Sequence, residues 1–163
     1  MQRVKLDRID RRILADLQAD GRITNVELSK RAGISAPPYL RRVRALEEAG
    51  FIKGYHADLE SKRLGFHVTV FAQVGLTSQA EADLEAFEST VRQWPEVREC
   101  YMLAGETDFL LKVVAADWDA YQKFLTTRLT AAPNVSSVKS ALSIRASKIE
   151  PGVPIDVNAP EEE

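Results

Sequence analysis

Arg41, Arg42 and Arg44 fall within four consecutive positions, and Lys53 follows nine residues after the last of them. A guanidinium can bond a guanine edge bidentately or hold a phosphate, and an ammonium pairs with phosphate as a point charge. A second set of reactive types lies in the turn 104–108, with Gly105, Thr107 and Asp108. There a glycine lets a ligand approach the backbone, successive amides can cradle a carboxylate, and Asp108 can face an ammonium. The plain alternative for this turn is a β-turn that uses glycine and aspartate for their conformations. Catalytic and metal chemistry find no such foothold. His56 and His67 are the only histidines, Cys100 is the only cysteine, and their spacing is not that of a zinc site. The sequence has no P-loop and no GxSxG elbow, and no carboxylates pair for acid–base work, so no catalytic residue, metal ligand or cofactor is nominated.

The arginines need a helix to present them, and the flanking residues supply one. Thr24 with Glu27 three residues on predicts a capping box, and Val26, Leu28 and Ala32 supply the apolar positions of a short helix over 24–32. Gly33 ends it and Ser35 caps the next helix, over 35–49 and closed by Gly50. Leu40, Val43 and Leu46 occupy about one third of that second helix's circumference. Pro37, Arg41 and Arg44 share another arc, and Arg42 lies further round. Helix, glycine turn and capped basic helix is the layout of a helix-turn-helix, whose second helix enters the DNA major groove. Such a helix reads bases from its N-terminal turns, which nominates Ser35, Ala36, Pro37, Pro38 and Arg41. The two prolines fit because first-turn amides have no intrahelical partner to lose, and their apolar surface can touch a thymine methyl. Tyr39 is expected to pack, with its hydroxyl directed to phosphate. Arg42, Arg44 and Lys53, with Thr24 and Asn25 at the start of the preceding helix, complete the candidate DNA-contacting set. His56, in the segment after the helix, is placed with Lys53 to touch phosphate. The plain alternative for the arginines is a solvated face bridged to Glu47 and Glu48, and for His56 a surface histidine.

A third helix precedes these two. Leu6, Ile9, Ile13, Leu14 and Leu17 form its stripe, Asp7 its N-cap and Asp20-Gly21 its end. The alternation of FIKGYHADL predicts a trailing strand. Three helices and a strand make a winged helix-turn-helix over residues 1–60. A hinge, ESKRLG, follows. Then come a strand (FHVTVFAQVGL), a helix with Leu84, Phe87 and Val91 on one face, two strands around the GETD turn, a helix capped by Asp117, and a last strand (VSSVKSALSIRAS). The order β-α-β-β-α-β predicts a ferredoxin-like domain over 61–149, so the fold class is α+β. Phe71, Leu103, Leu110 and Leu142 cannot all point to the helix side of its sheet, so the open face calls for a partner, most simply a second copy. Residues 150–163, rich in proline, glycine and acids, predict a disordered tail.

Composition fits this division. The net charge of −2 splits into +3 over residues 1–60 (12 Lys+Arg, 9 Asp+Glu) and −5 over the remainder (10 and 15), one module suited to phosphate and another to something else. No apolar run is long enough to cross a membrane, the N-terminus lacks a secretory signal, and a single cysteine suits a reduced, cytoplasmic protein with a buried or half-buried thiol.

The chain resembles the leucine-responsive/asparagine regulator family, Lrp/AsnC, over nearly its whole length. The resemblance is carried by LDRIDRRILADLQADGR at 6–22, ELSKRAGIS at 27–35, RRVRALEEAGFIKGYHADL at 41–59 and AGETDFLLKV at 104–113. Pro37, Pro38 and Tyr39 fall where that family varies. The resemblance implies a transcription regulator acting as a homodimer or a higher homo-oligomer such as an octamer, on a pseudo-palindromic double-stranded DNA operator, cytoplasmic and nucleoid-associated. It also implies a small-molecule effector, commonly an amino acid, held at an interface between dimers. By position, Tyr101, Leu103, Gly105, Thr107 and Asp108 line one side of that pocket, with Ser136 and Ser140 of the last strand opposite. Two rivals come from other classes: a ligand-independent architectural DNA-binding protein, and a small ferredoxin-like enzyme.

Overall fold

The computed structural model describes residues 5–159. It divides into two compact units, one holding the chain up to Asp58 together with the chain from Lys148 onward, the other Leu59–Ser147.

In the first unit, α1 (Arg8–Ala19), α2 (Asn25–Ala32) and α3 (Ala36–Glu48) pack around Ile13, Leu28, Tyr39, Val43 and Leu46. Each start has a local cause. At α1, Asp7 accepts from the Asp10 N–H at 2.8 Å while Asp10 accepts from the Asp7 N–H at 3.3 Å, a full capping box. At α2 only half of the expected box forms. Thr24 accepts from the Glu27 N–H at 3.3 Å, but the Glu27 carboxylate turns to Arg31 at 2.7 Å. Val26, expected inside, is exposed. Gly33, with φ 71°, ends α2 in the left-handed conformation that glycine adopts freely.

Ser35 holds the N-cap position of α3 without a side-chain cap bond. The reason is covalent. A capping hydroxyl accepts from the second or third helical N–H, and both positions are proline here, Pro37 and Pro38. The expected strand over 51–59 does not form, because the unit offers no second strand to pair with it. Phe51, Tyr55 and Leu59 are exposed along an irregular segment.

In the second unit, a single 3-10 turn (Ser61–Leu64) occupies the expected hinge. It leads to β1 (Val68–Leu76), α4 (Glu81–Val91), β2 (Val97–Met102), β3 (Phe109–Ala115), α5 (Trp118–Phe124), a π-helical turn (Leu125–Leu129) and β4 (Val135–Leu142). The four strands pair antiparallel in the order β2-β3-β1-β4, the expected ferredoxin-like sheet. Alternation decides the core. Val70, Ala72, Val74 and Leu76 of β1 and Phe109, Leu111, Val113 and Ala115 of β3 face Phe87, Val91, Tyr121, Phe124 and Leu129. Phe71 and Leu110 point to the open face as expected. Leu142 instead sits opposite the buried Val70 and shares its face, and Leu103 lies in the loop after β2. The tail is not free of structure up to Ala159: Gln18 of α1 bonds the backbone of Val153. Residues 160–163 of the expected tail lie outside the described residues.

Candidate nucleic-acid interface and effector site

On α3 the residues divide by what folding has already used. Pro37, Arg41 and Arg44 are exposed, as 100° steps from Pro37 require, and neither arginine enters an ion pair among the described residues. The alternative of bridges to Glu47 and Glu48 is not realised, since Glu47 takes the Tyr55 hydroxyl at 2.9 Å. Arg42 corrects the sequence reading. Its guanidinium lies 2.7 Å from Asp7 and 2.7 Å from Asp10, tying α3 to the cap of α1 rather than facing a groove. Burial works against the charge of Asp7, but the Asp10 N–H and the Arg42 guanidinium outweigh it and hold the carboxyl below its usual value. The helical wheel carried the signal, because Arg42 lies off the arc of its two neighbours.

Tyr39 is the second correction. It is fully buried, and its hydroxyl reaches neither solvent nor a partner. Burial, then the charges of Asp16 and Tyr55, push it up to about 12. It cannot be directed to phosphate. Ser35, freed from capping, is exposed, as are Thr24, Asn25 and Lys53, while Ala36 and Pro38 are half-buried.

In the second unit the end of β1, the end of β2, the start of β3 and the start of β4 meet at one end of the sheet. The turn between β2 and β3 is locked there. The Leu103 N–H donates to the Asp108 carbonyl at 2.8 Å, and the Asp108 N–H donates to Val74 at 3.0 Å. The Leu76 N–H donates to one Asp108 carboxylate oxygen at 2.6 Å, and the Gln79 side chain donates to the other at 2.8 Å. Asp108 therefore spends both oxygens on tying the turn to the end of β1 and to the segment after it, where the sequence reading had it facing a ligand ammonium. Gln79, which positions it, escaped sequence reasoning because it precedes its helix without any spacing signal.

Gly105 is exposed, its φ is not positive, and a Cβ there would meet nothing within 4 Å. Neither its conformation nor its surroundings require glycine. Thr107 is half-buried beside it. Across β1, Ser136 donates to the Gly75 carbonyl at 2.9 Å, so Ser136 and Asp108 flank the same strand end. Ser140 does not join them. It lies opposite the buried Ala72 and bonds the hydroxyl of Tyr121 on α5. Tyr101 is exposed on β2 and donates to Glu99, whose other oxygen takes Lys112 at 2.7 Å. That ammonium holds the Glu99 carboxyl below its usual range. Cys100, on the exposed edge strand, has its thiol pushed up to about 11 by partial enclosure and by Glu88, so it stays protonated at neutral pH. Among the described residues no His, Cys, Asp and Glu cluster could hold a metal ion, and no helix is long and apolar enough to cross a membrane.

Comparison with known proteins bears on both units. Residues 69–153 match the Lrp/AsnC ligand binding domain family, and residues 6–53 match a winged helix-turn-helix DNA-binding family. The leucine-responsive regulatory protein of Rhizobium meliloti is 53% identical over 146 residues, covering 90% of this chain and 94% of that protein. The Bkd operon transcriptional regulator of Pseudomonas aeruginosa is 40% identical over 151 residues, covering 93% and 99%. Among solved structures, a transcriptional regulator from Neisseria meningitidis in complex with L-Met superposes with a TM-score of 0.88 at 36% identity, covering 93% of this chain and 97% of that one.

Proposed function

We propose that this chain, which belongs to the Lrp/AsnC family of DNA-binding transcriptional regulators, reads its operator with Arg41 and Arg44 and alters that binding when an amino acid occupies one end of its sheet. It is a regulator with a ligand-binding domain, and its family is not one of enzymes. The observation that carries the proposal is the division of labour on α3, with two arginines exposed and uncommitted and the third consumed by folding.

Arg41 bonds a guanine edge or a phosphate, and Arg44 holds phosphate. Ser35, Ala36, Pro37 and Pro38 form the leading edge of the reading helix. Two of its first amides lack an N–H, so its contacts are apolar apart from the Ser35 hydroxyl and the Ala36 N–H. The thymine methyl is the base feature that such an edge recognises. Thr24, Asn25 and Lys53 contact the backbone of the duplex. Two copies joined through the open sheet face, where Phe71 and Leu110 lie, place two reading helices in successive major grooves of a pseudo-palindromic site, and dimers associate further, up to an octamer. The effector lies over Gly105 with Leu103, Thr107 and Tyr101 on one side and Ser136 on the other. Asp108 positions the turn. An amino acid that binds one assembly better than another shifts the population of assemblies and with it the spacing of reading heads. The protein works in the cytoplasm on the nucleoid and acts on its own promoter.

The test is binding to the DNA upstream of its own gene at fixed salt, with and without each of twenty amino acids, beginning with leucine and methionine, which relatives' names carry. Competitor-resistant binding altered by one amino acid is the expected result. Binding that no amino acid alters supports the architectural alternative. Replacing operator thymines by uracil, which removes only the methyl, weakens binding at positions read by the proline edge, and unchanged binding removes that edge from the readout.

A further inference from the structure

We propose that residues 148–159 are a strap that fastens the DNA-binding unit to the end of β4, so that this unit is held at both ends of its chain. The composition of the segment predicts disorder, yet it belongs to the same compact unit as α1–α3. The side-chain amide of Gln18 on α1 pairs with it as one residue of a strand would. Its nitrogen donates to the Val153 carbonyl at 2.7 Å, and its oxygen accepts the Val153 N–H at 3.1 Å. Gly152, just before, has φ 74°, and a Cβ there would overlap the Gln18 amide. Glycine at this point permits both the backbone conformation and the clamp. Pro151 and Pro154 flank the clamped residue and fix their own φ, which lowers the entropy lost on docking. Ile155 and Val157 are half-buried. Between strap and helices runs a cleft of about 850 Å³, with Leu14, Leu17 and Tyr55 on one wall and Ile149 and Pro154 on the other.

None of Pro37, Arg41 and Arg44 lines that cleft, so the strap leaves the reading arc uncovered. Its effect is on freedom of movement. The link from Leu142, the last residue of β4, to Lys148 is residues 143–147, five in all. From Leu142 to Lys148 it spans at most about 22 Å. The strand that begins at the effector end of the sheet thus runs directly into the strap. Without the clamp, the DNA-binding unit hangs on the single connection that precedes β1. Paired heads that wander less reach a second half-site at a higher effective concentration. This consequence rests on the paired-head reading above; the clamp itself does not.

The full-length chain tests it with two variants, Gln18→Ala and Gly152→Ala. Each is measured on the footprinted upstream fragment carrying two half-sites and on a duplex carrying one, and amide hydrogen exchange is followed at Val153. We expect a loss of about five-fold or more on the two-site fragment, unchanged affinity on the single half-site, and a Val153 amide that is protected in the parent and exchanges freely in both variants. In a parent that binds the two-site fragment more tightly than the single half-site, unchanged two-site affinity or equal losses on both duplexes in the variants overturns the strap, as does a freely exchanging Val153 amide in the parent. A parent that binds both duplexes equally, or neither, refutes the paired-head reading instead, and the exchange measurement then decides the strap alone.

Discussion

Along α3, Arg41 and Arg44 come out of folding with no ion-pair partner among the described residues, whereas in the turn before β3 the Asp108 carboxylate has both oxygens bonded within its own unit. The difference follows from the two ligands. A duplex supplies its own dense negative charge, so the protein need only leave cations uncommitted on a rigid face. A small zwitterion, the effector proposed above, would have to be enclosed by donors and acceptors in fixed positions, and at the turn before β3 the Asp108 charge is spent on holding that turn against the end of β1. In the first region the functional groups are what folding left over. In the second the charged group is one that folding built with.

Substitutions distinguish the two regions. The largest effect is expected for Asp108→Ala, which strips two donors, one of them the backbone N–H of Leu76. It should cost about 3 kcal/mol of the second unit's stability, read by denaturant unfolding, and blunt the amino-acid response with DNA binding retained. Full stability with a lost response would instead place Asp108 on the ligand. Next, Arg41→Ala and Arg44→Ala should each weaken operator binding by about ten-fold or more and reduce the salt slope by about one, with unfolding unchanged. Arg42→Ala should do the reverse. Its ties to Asp7 and Asp10 are half-exposed, so their loss costs about 1 kcal/mol in unfolding and leaves the salt slope as it was. A reduced slope for Arg42→Ala would erase the division drawn along α3.

Acid should act on the same tie. The Asp7 carboxyl lies below its ordinary value of 3.8 in the folded chain. The stability it contributes is therefore present above that value and lost as pH falls through the lower, folded one. Unfolding followed from pH 5 downward should show this loss in the parent and less of it in Arg42→Ala. The smallest effect is expected for Tyr39→Phe. Deleting a buried hydroxyl that has no partner removes an uncompensated desolvation cost, so stability should stay level or rise by up to about 1 kcal/mol. A clear loss would mean that the hydroxyl has a partner after all.

Much of this was legible in the order of residues. Glycine at 33, the cap at Thr24 and the apolar stripes decided the helix-turn-helix, because those effects act within a few positions of the chain. Period-two and period-3.6 patterns likewise decided the β-α-β-β-α-β order, since each element shows which face it must bury. The sequence also determined that Ser35 could not cap α3, because two prolines have no N–H to offer, although cap spacing alone suggested otherwise. Tertiary structure decided the rest. Whether an arginine faces solvent or an aspartate 35 residues away depends on how α1 crosses α3. Whether Tyr39 shows its hydroxyl depends on what packs above it, and whether 51–59 becomes a strand depends on finding a second strand. The meeting of Gln18 with Val153, 135 residues apart, has no local signature at all. Short-range preferences are written in the chain, and pairings between distant side chains exist only once the fold has brought them within reach.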